Sequence, residues 1–219
     1  HYLPLCYPPY ITMDLMQIFT LVTGVLYIIY EIRQRNFMWI VGIATSLAAM
    51  WVFFRQGLYA SFGLNTYYFI TAFLGLWHWR RDKKSFADRN VAPEDARDVI
   101  VLNRLTWRTV IISAVITLAG IPALSFGMEY LHHIGLLAEN PMSLLDSAVA
   151  VLSAVATWWL VKSYREQWML WIVADAMSVL LCAMQQMWWM AALYLAYVAA
   201  AVYGFYHWKQ HGKYLSENK

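Results

Sequence analysis

Residues 75–79 read Gly-Leu-Trp-His-Trp and residues 204–208 read Gly-Phe-Tyr-His-Trp, each at the end of a long apolar run. The two segments are offset by 129 positions. Other residues share this offset: Leu64 with Leu193, Tyr68 with Tyr197, and Ala72 with Ala201. One element earlier, Trp-Ile-Val at 39–41 recurs at 171–173, here at an offset of 132. A duplicated unit within an apolar chain is typical of membrane transporters built from repeats.

The composition is that of an integral membrane protein. Hydrophobic residues make up 61% of the 219 residues and charged residues only 13%, whereas a soluble domain carries about 25% charged residues. Backbone amides in lipid must be paired within their own segment, so helices are expected. Apolar runs of suitable length predict an all-α protein with seven spans, at 14–31, 37–54, 58–79, 107–127, 142–161, 168–186 and 187–208.

Basic residues are unevenly distributed between the two sides of these spans. All of the 16 Lys and Arg residues except Arg55 lie after the last span, in the first, third and fifth connections or, for Arg108, at the start of the span that follows the third connection. Because positively charged loops stay in the cytoplasm, the N-terminus is predicted outside and the C-terminus inside. If the number of spans were wrong, basic residues would fall on both sides of the membrane. The asymmetry therefore also supports seven spans.

The duplication predicts a 3+1+3 arrangement. An odd number of spans per copy plus one linker span gives both copies the same orientation, so the repeats are parallel and enclose a central site. Residues 1–12 are interpreted as an extension, with Met13 as a candidate native start. The units that follow are the first repeat (13–79), a cytoplasmic loop (80–106), the linker helix and an outer loop (107–141), the second repeat (142–208) and a cytoplasmic tail (209–219).

Polar and aromatic stripes at helical spacing mark the candidate site. Span 3 carries Asn65, Tyr68, Ala72, Gly75 and Trp79, and span 7 carries Tyr194, Tyr197, Ala201, Gly204 and Trp208. The small residues of these stripes favour close helix packing. Span 6 carries Trp171, Asp175, Ser178, Cys182, Gln185 and Trp189. Asp175 is interpreted as the only acidic residue well inside an apolar span, and such residues usually face the protein interior or water.

Other polar residues do not indicate a metal, a cofactor or catalysis. His78 and His207 lie at predicted membrane boundaries, and the pair 132–133 (His-His) lies in the predicted outer loop. Cys6 and Cys182 lack a ligand-like or disulfide-like spacing. The sequence contains no nucleotide-binding loop, nucleophile elbow or zinc-protease motif, so no enzyme and no nucleic-acid partner are expected.

Several segments resemble the nicotinamide riboside transporter family, PnuC, over about residues 14–210. They are Leu-Tyr-Ala-Ser at 58–61, Asp-Ser at 146–147, and Gln-Trp-Met-Leu-Trp at 167–171 leading through Asp175 to Gln185. The family's architecture is 3+1+3 and is related to that of the SWEET sugar transporters. An amide is common in the family at the positions of Asn65 and Asp175, so the carboxylate of Asp175 is a departure. Related members carry thiamine or riboflavin.

The resemblance implies facilitated diffusion of nicotinamide riboside across the bacterial inner membrane, with trapping by a cytoplasmic kinase. Asn65 and Gln185 would contact the amide or ribose, and Tyr68, Tyr194 and Tyr197 would pack on the ring. Asp175 and Ser178 would anchor polar groups, and Trp171 and Trp189 would act as gates. Uniport is expected because a single embedded carboxylate without a proton relay is visible. The outer helix faces are compatible with a homo-oligomer in the lipid bilayer.

Three alternatives to this function are compatible with a polytopic membrane chain. A thiamine or riboflavin transporter of the same family is the nearest one. A non-transporting membrane scaffold would not need the polar stripe of span 6. A light-driven retinal protein needs a lysine in the middle of its last span, and span 7 has none before Lys209.

Overall fold

The computed structural model describes residues 26–55, 59–90, 99–136, 142–186 and 188–215. This part of the chain is mostly helical, with seven helices and two short strands. The helices are α1 (26–32, its beginning outside the described residues), α2 (Phe37–Arg55), α3 (Tyr59–Asn90), α4 (Trp107–His133), α5 (Ser143–Val161), α6 (Gln167–Met184) and α7 (Trp188–His211). The strands are β1 (Ile100–Leu102) and β2 (Gly212–Tyr214).

Three of the helices in the described part of the chain, α4, α5 and α6, are long and apolar enough to cross a membrane, and Phe37–Leu47 in α2 is a shorter apolar segment. Large apolar side chains of α4 point away from the protein, with Val115 60% and Leu118 76% exposed. In water such a surface would be unfavourable, whereas hydrocarbon solvates it. The predicted class of helical membrane protein therefore agrees with the structure.

Helix packing places α6 between α5 and α7, α2 against α3, and α4 against α5, while α3 contacts α5. The N-terminal and C-terminal halves of the described chain therefore contact each other through α3 and α5. Tyr67 reinforces this contact, because its hydroxyl donates a hydrogen bond of 2.7 Å to the Ala154 carbonyl.

Four tryptophans pack together at one end of the bundle, which we call the tryptophan end. Trp39 lies edge-on to Trp79 at a centroid distance of 5.1 Å, and Trp168 lies edge-on to Trp208 at 5.5 Å. Trp79 and Trp208 meet at 6.5 Å. All four side chains are at most 2% exposed. Edge-to-face pairs of this kind add to the stabilisation from burial alone.

Glycine is required where each of two tryptophans crosses a neighbouring helix. A Cβ on Gly204 would lie 2.7 Å from the Trp168 ring, and a Cβ on Gly75 would overlap the Trp39 ring. The glycine–tryptophan pairs share the offset of 129 positions seen in the sequence. The sequence pairing of Trp39 with Trp171 is therefore wrong, because Trp168 occupies the matching position.

Hydrogen bonds at the tryptophan end also occur as matched pairs. The Trp79 indole donates to the Leu160 carbonyl at 3.1 Å, and the Trp208 indole donates to the Ile32 carbonyl at 2.8 Å. Each bond therefore joins one duplicated segment to the other. Both carbonyl groups lie at helix ends, where intrahelical partners are missing, and the Leu160 carbonyl also accepts from the Ser163 amide at 2.9 Å.

Gln34 and Ser163 follow α1 and α5 and meet each other across the bundle. Both adopt positive φ angles, 47° and 56°. The Gln34 side-chain amide donates to the Ser163 hydroxyl at 3.2 Å, and the two residues are 129 positions apart. Residues related by the duplication are thus in direct contact.

The polar region after span 3 is more ordered than predicted. The sequence predicts a cytoplasmic loop or a surface helix at 80–106 and a tail at 209–219. In the structure α3 continues to Asn90, α7 continues to His211, and β1 pairs with β2 in parallel. Asp82 and Phe86 in the added turns of α3 are buried at 2% and 4% exposure, which explains why the helix continues. Strands of three residues are too short to produce a recognisable period in the sequence.

Strand β1 is held at the tryptophan end by the Gln34 side chain. The Gln34 amide nitrogen donates to the Val101 carbonyl at 2.8 Å, and its oxygen accepts from the Val101 amide at 2.7 Å. Next to it, Asn103 donates to Asp82 at 2.7 Å and to the Lys162 carbonyl at 3.0 Å. The strand therefore covers this end of the bundle and connects α1, α3 and α5.

Helix α4 is one continuous element from Trp107 to His133, beyond the predicted end of its span at 127, and it runs through Gly120, Pro122 and Gly127. Thr106 caps its first turn by accepting from the Thr109 amide at 3.4 Å. A proline is tolerated in a membrane helix because neighbouring groups satisfy the freed carbonyl. His132 and His133 consequently lie in the last turn of α4 and not in the predicted outer loop.

Candidate functional site

A cavity of about 300 Å³ lies among α1, α3, α5, α6 and α7. Its wall combines aromatic rings, two carboxyl groups and a few hydroxyl groups. The lining residues are Tyr27, Ile28, Glu31, Tyr68, Val149, Ser153, Trp168, Trp171, Asp175, Ser178, Tyr194, Tyr197 and Ala201. A cavity of roughly 300–1,000 Å³ with an apolar wall and a few polar groups is typical of a site for a small organic molecule.

Six of the nine residues predicted for the site line this cavity. They are Tyr68 from α3, Trp171, Asp175 and Ser178 from α6, and Tyr194 and Tyr197 from α7. Ala201, which belongs to the small-residue part of the stripe on span 7, also lines it. The helical spacing of the stripes thus brings these side chains to one place in the fold.

Of the other three predicted residues, Asn65 and Gln185 are not among the described residues that line the cavity. Asn65 is half-buried on α3. Gln185 caps the C-terminus of α6 with an exposed side chain, because the helix ends at Met184 and the stripe does not continue beyond it. Trp189 lies in the first turn of α7, and its side chain is outside the described part of the structure.

Helix α6 presents its polar stripe to the protein and its apolar residues to the outside. Asp175, Ser178 and Cys182 are 8%, 3% and 7% exposed, whereas Val173 and Leu180 are 48% and 60% exposed. The Ser178 hydroxyl donates to the carbonyl one turn earlier, at Ala174, with a distance of 2.9 Å. Its lone pairs therefore remain free to accept a hydrogen bond from a ligand.

Tyrosine rings form the opposite wall. Tyr194 lies edge-on to Tyr197 at a centroid distance of 6.0 Å, and Tyr68 contacts Tyr67 at 5.7 Å. Because the Tyr67 hydroxyl is bonded to α5, the neighbouring Tyr68 is attached to a rigid part of α3. The cavity thus has fixed aromatic surfaces that can pack on a planar ring.

Glu31 is a cavity residue that the sequence did not single out. We placed it at the boundary of span 1, where an acidic residue is ordinarily solvated. In the structure it is 3% exposed, and its carboxylate accepts a hydrogen bond of 3.4 Å from the Gln167 side chain. The expectation of a single embedded carboxylate is therefore wrong, since strand β1 and α6 cover this end of α1.

Several buried polar atoms near the cavity find no hydrogen-bond partner among the described residues. They include the indole nitrogens of Trp168 and Trp171, both of which line the cavity, and the side-chain oxygen of Gln167. Buried polar groups are normally paired, and an unpaired one at a cavity is available to a ligand or to water. Donors and acceptors are thus both present at this site.

Within the described residues, no group of three or more His, Cys, Asp and Glu side chains could hold a metal ion. His78 forms an ion-pair contact of 3.4 Å with Asp82, one turn further along α3. His207 stacks on Tyr203 at 5.8 Å and on His211 at 4.5 Å. The histidines predicted at the membrane boundaries therefore take part in local packing at the tryptophan end.

A bundle of apolar helices around a polar and aromatic cavity is the arrangement of a membrane transporter for a small molecule. The chain matches the model of the nicotinamide mononucleotide transporter family over residues 14–210 and belongs to that family. The family consists of membrane transporters, not enzymes.

Individual relatives cover most of the chain. The nicotinamide riboside transporter PnuC of Neisseria mucosa is 26% identical over 85% of this chain and 69% of its own length. PnuC of Escherichia coli is 26% identical over 72% of this chain and 69% of its own length. A crystal structure of the vitamin B3 transporter PnuC superimposes with a TM-score of 0.59 and 26% identity, covering 88% of this chain and 81% of the other.

Proposed function

We propose that this protein carries nicotinamide riboside across the bacterial cytoplasmic membrane. The observation that carries this proposal is the cavity of about 300 Å³, which combines aromatic walls with Asp175 and Glu31. Nicotinamide riboside has a flat cationic ring, a carboxamide and a ribose. The relatives named as nicotinamide riboside transporters support the same substrate.

Each part of this substrate has a suitable partner in the cavity. Aromatic faces such as those of Trp171 and Tyr197 attract a cationic ring. The carboxylate of Asp175 and the hydroxyl of Ser178 can accept hydrogen bonds from ribose hydroxyls. The unpaired indole N–H of Trp171 can donate to a hydroxyl or to the carboxamide oxygen.

The proposed architecture is 3+1+3, with residues 13–79 and 142–208 as parallel repeats and α4 as the linker. The contacts at an offset of 129, between Gln34 and Ser163 above all, support it, because equivalent residues meet at a pseudo-twofold axis. The distribution of Lys and Arg supports an N-terminus outside and a C-terminus in the cytoplasm. The tryptophan end would then face the cytoplasm.

Transport is proposed to be uniport, with phosphorylation by a cytoplasmic kinase trapping the substrate. Two carboxyl groups, those of Glu31 and Asp175, line the cavity. The proposal of uniport therefore does not rest on the presence of a single carboxyl group. Among the described residues, however, the hydrogen-bond partner of Glu31 is the amide of Gln167, which cannot relay a proton. Uptake driven by a pH gradient in sealed vesicles would contradict this mechanism.

Thiamine is the second candidate substrate. The observation that favours it is the carboxylate of Asp175 at a position where an amide is common in the resembling family. Thiamine also carries a cationic ring and an amino group that a carboxylate can bind. Riboflavin is neutral and has a wider ring system, so the same cavity suits it less well.

Calorimetric titration of the purified protein with the three vitamins tests the proposal. We expect tight binding of nicotinamide riboside, with about tenfold weaker binding after Asp175→Asn, which corresponds to ~1.4 kcal/mol. Asp88→Asn, an exposed carboxylate on α3, is the matched control and is expected to bind normally. Binding of thiamine alone would show that thiamine is the substrate. Binding of none of the three vitamins would support a non-transporting membrane scaffold.

A further inference from the structure

Glu31 gives the cavity a second carboxylate, from a different helix than the first. Glu31 is at the end of α1, and Asp175 is in the middle of α6. Both line the same cavity. The family comparison and the sequence motifs assign no role to Glu31.

No Lys, Arg or His of the described residues forms an ion pair with either carboxylate. The partner of Glu31 is neutral, namely the Gln167 amide at 3.4 Å. A buried carboxylate is costly unless a positive charge or several hydrogen bonds compensate it. The described residues supply little compensation, so the site is electrostatically suited to a positively charged occupant.

Unpaired polar atoms at this cavity and next to it also point to a ligand. Gln167 is 0% exposed, and its side-chain oxygen has no hydrogen-bond partner among the described residues. Trp168 is 1% exposed, lines the cavity, and leaves its indole nitrogen unpaired. Aromatic rings beside two carboxylates form the environment in which a cationic ring binds best.

We propose that Glu31 is a specificity-determining residue which, together with Asp175, makes the cavity select a permanently cationic ring over a neutral ring of the same shape. The proposal rests on the proposed function, in that it takes this cavity as the vitamin site. It extends that function by assigning the charge selection to a residue that the sequence motifs leave out.

The test compares ligands that differ in charge but hardly in shape. Nicotinamide riboside is cationic, and its 1,4-dihydro form is neutral. Thiamine is cationic, and its 3-deaza analogue is neutral. Calorimetry of the full-length protein in detergent with both pairs gives a preference ratio, cation over neutral, that does not depend on which vitamin is the substrate.

For the unmodified protein we expect a preference for the cation of at least about tenfold in the pair that binds. Glu31→Gln is expected to reduce this ratio about tenfold, while the affinity for the neutral ligand stays the same or rises. Asp88→Asn, exposed on α3, is the control and should leave the ratio unchanged. A melting curve of each variant confirms that it is folded.

Other outcomes separate the two proposals. Equal affinity of the unmodified protein for cationic and neutral ligands would overturn the role of Glu31 without need of any variant. An unchanged ratio in a folded Glu31→Gln variant would overturn it as well. Selective binding of the thiamine pair, with a ratio that depends on Glu31, would refute nicotinamide riboside as the substrate and still support the charge selection. No binding of either pair would overturn both proposals.

Discussion

The packing of Trp168 on Gly204 gives a prediction whose size can be worked out from the structure. A Cβ at position 204 would lie 2.7 Å from the Trp168 ring, well inside van der Waals contact. The ring cannot move away freely, because it is 1% exposed and packs edge-on against Trp208 at 5.5 Å. Gly204→Ala must therefore displace either the ring or helix α7.

Two opposing effects set the magnitude. Alanine is favoured over glycine in a helix interior by about 1 kcal/mol. Overpacking a well-packed core costs about 1–3 kcal/mol, and a contact this short belongs at the upper end of that range. We therefore expect Gly204→Ala to destabilise the protein by ~2 kcal/mol, or a decrease in melting temperature of about 4–8 °C.

Gly127→Ala on α4 is the matched control, since nothing lies within 4 Å of the added Cβ. We expect this variant to be as stable as the original protein or more so. Gly75→Ala is a second comparison. Its Cβ would overlap Trp39, which does not line the cavity, so stability should fall but ligand affinity should be largely kept.

The assays are melting curves from tryptophan fluorescence and calorimetric titration with the vitamin that binds. Gly204→Ala should lower both the melting temperature and the affinity, because Trp168 lines the cavity. Replacing Trp168 by Leu as well should recover part of the stability lost in Gly204→Ala, which a double-mutant cycle measures. Equal melting temperatures for Gly204→Ala and Gly127→Ala would refute the packing argument.

Two further predictions concern the hydrogen bonds of the tryptophan end. Gln34→Ala leaves the buried N–H and C=O of Val101 unpaired, at a cost of about 1–3 kcal/mol each. Hydrogen–deuterium exchange in β1 should therefore accelerate strongly, and unchanged exchange would contradict the contact. Trp79→Phe and Trp208→Phe each remove one indole–carbonyl hydrogen bond and should lower stability by a similar amount, about 1 kcal/mol. Trp107→Phe, at a residue that is 75% exposed, is the control in the same melting experiment. A loss of stability in only one of the two variants Trp79→Phe and Trp208→Phe would contradict the equivalence of the two hydrogen bonds.

Much of the candidate site was predictable because it follows helical periodicity. On α6 the steps from Trp171 to Asp175 and Ser178 place all three side chains on one face, whatever the rest of the fold. The apolar residues on the opposite face identify which side contacts lipid. The duplication identified Tyr68 and Tyr197 as further candidates, because equivalent residues of two copies occupy equivalent positions in the fold. Gln185 does not share this face, because α6 ends one residue before it.

Glu31 could not be found by the same reasoning. At the end of an apolar run, an acidic residue has the same local pattern whether water or protein covers it. Its burial depends on Gln167, which is 136 positions away in the sequence. The local feature that indicates burial of Glu31 is the apolar stretch Ile28–Tyr30 directly before it, which extends the hydrophobic run to its position.

The sequence by itself determined the class of protein, the number of helices, the polar face of α6 and the family. These follow from hydropathy, 3.6-residue periodicity and repeated motifs, which are properties of neighbouring residues. Only the tertiary structure decided that Glu31 shares a cavity with Asp175, that β1 pairs with β2, and that Gln34 binds both Val101 and Ser163. Each of these contacts joins segments that are far apart in the chain, such as the 67 positions between Gln34 and Val101. Such contacts depend on how the helices pack against one another, and no local pattern encodes that packing.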